Sequence, residues 1–118
     1  MDTGGFVKGL EKVLKACSDD NRIRILKLLE KRKLCVCEIA FVLGIAQPSV
    51  SRHLKKLMNA GLIETEKDSF WTNYFLAPDN KYAKEMCSLM GRWLNDDKVI
   101  KEDLIKVKKA NRERLCCN

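Results

Sequence analysis

The stretch Gln47-Pro48-Ser49-Val50-Ser51-Arg52-His53-Leu54-Lys55-Lys56-Leu57 decides how this chain folds. Ala46-Gln47-Pro48 places a proline just inside a first helical turn, where its missing N–H does no harm. Val50, Leu54, Leu57 and Gly61 then recur at spacings of four, three and four, one apolar stripe at the helical period. Arg52, Lys55, Lys56 and Asn59 stand on the other side, flanked by Ser49 and Ser51, and no acidic residue occurs between Glu38 and Glu64. A short helix with an apolar seam and a cationic, hydroxyl-bearing face suits the DNA major groove. A solvated surface helix would read the same way, so the neighbouring segments decide.

Upstream, Val36, Ile39, Ala40 and Leu43 form the seam of a short helix opened by Cys35-Val36-Cys37-Glu38 and stopped by Gly44. Gly44-Ile45-Ala46-Gln47 is a tight turn into the central helix. The unit is a helix-turn-helix with the basic face on its second member. Before it lie a helix over residues 6–17, with Phe6, Leu10, Val13, Leu14 and Cys17 on one side, and a second helix running to Arg32. Ser18-Asp19-Asp20-Asn21, rich in N-cap residues, separates the two. After Gly61 the period changes to two β-prone runs, residues 62–66 and 71–76, a hairpin in the position of a wing. A fifth helix, residues 79–93, turns Tyr82, Met86, Leu89, Met90 and Trp93 inward, and a sixth from about residue 98 carries Val99, Leu104, Ile105 and Val107. The expected fold is mainly α with a small β-hairpin, a winged helix-turn-helix of order αααα-ββ-αα.

At 118 residues one domain is expected, residues 1–118, with a core modest enough that a dimer would help it. Net charge is +7, which favours a polyanionic partner. No apolar run approaches bilayer-spanning length and no signal peptide precedes the first helix, so a cytoplasmic location and no membrane partner are expected. Six cysteines in such a chain point to metal or redox chemistry rather than structural disulfides.

In that order, Ala16-Cys17-Ser18-Asp19-Asp20-Asn21-Arg22-Ile23-Arg24-Ile25-Leu26, Leu34-Cys35-Val36-Cys37-Glu38-Ile39 and Val50-Ser51-Arg52-His53-Leu54-Lys55, followed by Ala60-Gly61-Leu62-Ile63, resemble the ArsR/SmtB family of metal-sensing winged-helix repressors. They match its opening motif, the metal-binding box of its arsenic- and cadmium-responsive branches, and its recognition helix. The resemblance implies a homodimer on a near-palindromic operator in double-stranded DNA, bound when metal-free and released by metal. The DNA-reading core would span about residues 19–76, and residues 6–17 and 79–115 would supply the dimerisation helices. Two reading helices would then lie roughly 34–36 Å apart. The family's hairpin tip often carries basic residues and a glycine; here it is Asp68-Ser69-Phe70.

Arg52 points most directly away from the seam and is the expected base reader, where a bidentate pair with guanine contributes about 1–3 kcal/mol of discrimination. Gln47, Ser49, Ser51, Lys55 and Lys56 complete the DNA-facing set. His53, at the margin of the stripe, is assigned to packing or a phosphate contact. As the only histidine it also disfavours the family's imidazole-based zinc or nickel site.

Cys35 and Cys37 are the sharpest chemical signal. Two residues apart on a regular helix means about 200° of rotation. Both sulfurs meet one ion only if Cys35 precedes the first turn or the helix start unwinds. The helix N-terminus is expected to lower their thiol pKa below about 8.5. Thiolates favour thiophilic ions, and three of them suit As(III) or Sb(III). The arsenic-branch box often has another Cys where this chain has Ala40, so Cys116 and Cys117 are the leading source of a third sulfur. Cys17 and Cys87 read as core. The leading function is an As(III)/Sb(III)-responsive repressor needing no cofactor to bind DNA. Alternatives of the same fold respond to Cd or Pb, or to thiol oxidation. A thiol enzyme is disfavoured, because there is no C-x-x-C motif, Gly-rich phosphate loop or second histidine. A metal-blind DNA-binding domain is the remaining alternative.

Overall fold

A computed structural model describes residues 3–115; Cys116 and Cys117, assigned above to the ligand set, lie outside the described residues. The elements run α1 (Thr3–Cys17), α2 (Asp20–Leu29), α3 (Val36–Leu43), α4 (Gln47–Asn59), β1 (Ile63–Asp68), β2 (Trp71–Leu76), α5 (Lys81–Arg92), α6 (Lys98–Val107) and α7 (Arg112–Leu115). The order is the expected one with a short helix added at the end. Asp19 caps α2, its carboxylate accepting from the Arg22 N–H at 3.1 Å. Gly44 ends α3 in the left-handed region at φ 70°, where glycine carries no Cβ penalty.

The core forms where α2, α3 and α4 meet, around Ile25, Leu28, Ile39, Val50, Leu54 and Leu57. All three apolar positions of the α4 stripe are sealed from water. α4 therefore holds its polar face outward because its other face has nowhere else to go. Gly61 follows at φ 76°, and a side chain there would run into Asp79 and Asn80. This turn sends the chain straight into an antiparallel hairpin with Ile63 opposite Leu76 and Asp68 opposite Trp71. Leu34 adds a third, single-bridge edge by exchanging hydrogen bonds of 3.1 and 2.8 Å with Tyr74.

The faces that α1, α5 and α6 bury are narrower than their apolar stripes, and Trp93, expected inward, is not buried. Phe6, Leu10 and Leu14 on α1 are exposed at 40–48% while Val13, Ala16 and Cys17 go inward, because α1 packs on α2, α4 and α5 along one narrow line. Trp93 is half exposed because α5 ends at Arg92 and the chain turns away. On α6, Ile100, Asp103 and Val107 are buried while Val99 and Ile105 face outward. The helix docks on α2 and α3 through Ile100, Leu104 and Val107, with an ion pair set among them. Arg24 donates to both Asp103 carboxylate oxygens at 2.8 and 2.9 Å, and that bond raises the Arg24 pKa.

Lys27, almost wholly buried, does comparable work at the end of α5. Its ammonium donates to the Met90 carbonyl at 2.7 Å and Asn95 at 3.0 Å, and pairs with Glu30 at 2.9 Å. Asp103→Ala leaves the half-buried Arg24 without its carboxylate partner, and losing this charged hydrogen-bonded pair should lower unfolding free energy by about 1–3 kcal/mol. Urea denaturation of the variant beside wild type measures this.

Candidate functional site

Two groups of residues carry the candidate chemistry: the exposed outer face of α4 and the buried start of α3. On α4, Gln47, Ser51, Arg52, Lys55 and Lys56 are exposed and Ser49 is half-buried. Arg52 donates to the Ser49 hydroxyl at 3.1 Å, so the guanidinium lies along the first turn of the helix rather than free in solvent. His53 is half-buried, with Nδ1 3.1 Å from a guanidinium nitrogen of Arg22. A guanidinium only donates, so Nδ1 accepts and the ring proton sits on Nε2. Arg22 is itself held by the Ala16 carbonyl at 2.7 Å and the Lys15 carbonyl at 3.3 Å. Sequence reading missed this arginine, which ties the end of α1 and the start of α2 to α4. It lies 31 residues from His53, and no local periodicity signals the contact.

Cys35 is the N-cap of α3, in extended backbone at φ −92° and ψ 169°. It therefore precedes the first turn, while Cys37 lies half-buried within that turn. The cap is reciprocal: the Cys35 side chain accepts from the Glu38 N–H, and Glu38 Oε1 accepts from the Cys35 N–H at 3.0 Å. The other oxygen of the buried Glu38 takes Arg32 at 3.1 Å. Cys37 is disulfide-bonded, so its sulfur meets a thiophilic ion only after reduction. No group of three His, Cys, Asp or Glu side chains is gathered as metal ligands among the described residues.

The expected lowering of the thiol pKa does not hold for Cys35. Burial pushes its pKa up, outweighing the stabilising N–H groups of Glu38 and Cys37, while the Glu38 carboxylate adds to the rise. The helix end is favourable to a thiolate, but the lost hydration is the larger effect. Cys17 is buried and Cys87 packs against the core, the places read for them from sequence. Burial pushes the Cys87 thiol up to about 11, with Cys17 and Glu30 adding to it.

Residues 19–65, from the cap of α2 through the reading helix into β1, match the family model described as bacterial regulatory protein, arsR family. The chain is 30% identical over 111 residues to an arsenic resistance transcriptional regulator of Pseudomonas putida, covering 89% of this chain and 95% of that one. The chain belongs to this family. It is 38% identical over 80 residues to an uncharacterized HTH-type transcriptional regulator of Methanocaldococcus jannaschii, covering 67% and 88%. Among solved structures, the transcriptional repressor BigR from Xylella fastidiosa superposes with a TM-score of 0.66 at 25% identity, over 82% of this chain and 95% of that one. The chain is thus an arsR-family transcriptional repressor, a winged helix-turn-helix DNA-binding protein and not an enzyme. No helix among the described residues is long and apolar enough to cross a membrane.

The raised thiols set a pH dependence. A thiol whose folded pKa exceeds its unfolded value keeps its proton longer when folded, so the folded state binds more protons and stability falls as pH rises. For Cys87 the fall should begin near its ordinary value of about 8.5 and end near 11. Urea unfolding of reduced protein across that window should show the decline in wild type, and a shallower one in Cys87→Ala.

Proposed function

We propose that this arsR-family repressor binds its operator as a homodimer through α4 and lets go when As(III) or Sb(III) is captured by Cys35 and Cys37. The observation that carries the effector half is the position of Cys35 outside the first turn of α3, in extended backbone. Two sulfurs on a regular helix diverge by about 200°, whereas an N-cap residue is free of that constraint. Pulling both onto one ion strains the cap made with Glu38, and α3 is the first helix of the helix-turn-helix. The third sulfur of a trigonal site is assigned to Cys116 or Cys117. Supporting this, α7, the element that precedes them in sequence, packs against α3.

On the DNA side, Arg52 reads a base edge, while Gln47, Ser49, Ser51, Lys55 and Lys56 position α4 on phosphates. His53, half-buried at the edge of this face, packs there or meets a phosphate. Supporting the homodimer is the apolar face left open on α1, where Phe6, Val7, Leu10 and Leu14 are exposed beside α5. A second copy would cover it, burying apolar area at about 25 cal/mol per Å². A second reading, release by thiol oxidation, is favoured by the disulfide-bonded state of Cys37.

Two measurements test the proposal. Arsenite added to the reduced protein–operator complex should release DNA from wild type but not from Cys35→Ser/Cys37→Ser, read by fluorescence anisotropy. Release of the double mutant at the wild-type arsenite concentration would move the sensor elsewhere, and release by peroxide alone would favour oxidation. Leu10→Glu/Leu14→Glu should run as a monomer in sedimentation and lose most operator affinity; an intact dimer would place the interface on another face.

A further inference from the structure

The tip of the hairpin carries Asp68, an acid where a wing would meet phosphates. The structure pairs it with an arginine from the far end of the chain. Arg112, the first residue of α7, donates to the Asp68 carboxylate at 2.6 Å and to the buried Asn73 amide oxygen at 3.2 Å. Its guanidinium lies 4.3 Å from the centre of the Trp71 ring, within cation–π range. One side chain thus grips both strands of the hairpin at once.

A second arginine joins this grip to the start of α3. Arg32 donates to Glu38 at 3.1 Å and to the Val107 and Ala110 carbonyls at 3.3 and 3.5 Å. Those carbonyls close α6 and open the segment that delivers Arg112. Arg32, Glu38, Asn73 and Arg112 line one polar cleft of about 320 Å³ between α3, β2 and α7. The path from the Cys35 cap to the wing therefore passes through Glu38, Arg32, the end of α6 and Arg112, each link a hydrogen bond or a short stretch of chain.

We propose that Arg112 is a positioning residue for DNA binding: it neutralises Asp68 and docks the wing onto the C-terminal segment, and the Glu38–Arg32 pair keeps it there. The inference rests on the DNA-binding reading alone and not on the identity of the effector. It also makes the wing, and not only α4, sensitive to the state of the α3 cap.

The test uses full-length reduced protein in a Trp93→Phe background, so that Trp71 is the sole tryptophan. Arg112→Met should raise acrylamide quenching of Trp71 and weaken operator binding by roughly 2- to 30-fold, the usual range for coupling of this kind. Asp68→Asn added to Arg112→Met should recover part of the affinity by removing the unpaired acid, while quenching stays high. Glu38→Gln retains an oxygen for the Cys35 N–H but loses the acceptor that holds Arg32. It should raise Trp71 quenching when Arg112 is present and add nothing in Arg112→Met. Unchanged quenching and affinity in Arg112→Met would overturn the docking role. Equal, additive effects of Glu38→Gln in both backgrounds would overturn the link to the cap. Neither outcome depends on arsenite, so the effector assignment stands or falls separately. Unfolding midpoints of each variant distinguish a displaced wing from a generally loosened protein.

Discussion

A single buried carboxylate holds three parts of this repressor in register. Glu38 closes the first turn of α3 through the Cys35 N–H and spends its second oxygen on Arg32, which in turn satisfies carbonyls at the end of α6. A buried carboxylate is costly unless every lone pair finds a donor. Here the donors come from the helix cap and a guanidinium, so cap, α6 and C-terminal segment share one constraint. Disturbing any one of them leaves charge or backbone polar groups unmatched in the others.

That constraint sits beside the two box cysteines, which gives them leverage that surface thiols would lack. Cys35 is both N-cap and candidate ligand, so capturing an ion there competes directly with helix capping. The same burial that creates the leverage also raises the thiol pKa. Capture therefore works against a protonated, sheltered sulfur. α4 depends on the same packing from below: its seam is sealed against α2 and α3, so movement of α3 is felt by the basic face above.

Some of this was legible from local pattern alone. The spacing of Val50, Leu54 and Leu57, the glycine at 44 and the period change after Gly61 each act over one or two turns, and the corresponding elements appear where they were expected. Inward faces were less legible. A stripe on α1 or α6 marks which residues are apolar, not which of them meets a neighbour, and Leu10, Leu14, Val99 and Ile105 face outward. Periodicity has no knowledge of how many partners a helix will find, and α6 buries Ile100 and Val107 together with the ion-paired Asp103.

The sequence by itself determined the winged helix-turn-helix, the cationic face of α4 and the Cys35/Cys37 pair at a helix start. These follow from backbone periodicity, turn chemistry and residue type over short spans. Only the tertiary structure decided that Arg22 seats His53, that burial outweighs the helix end at Cys35, and that Arg112 reaches back to Asp68 across 44 positions. Hydration lost on burial and pairing between distant charges are properties of the folded chain. They arise only once segments far apart in sequence have been brought together and water has been displaced from between them.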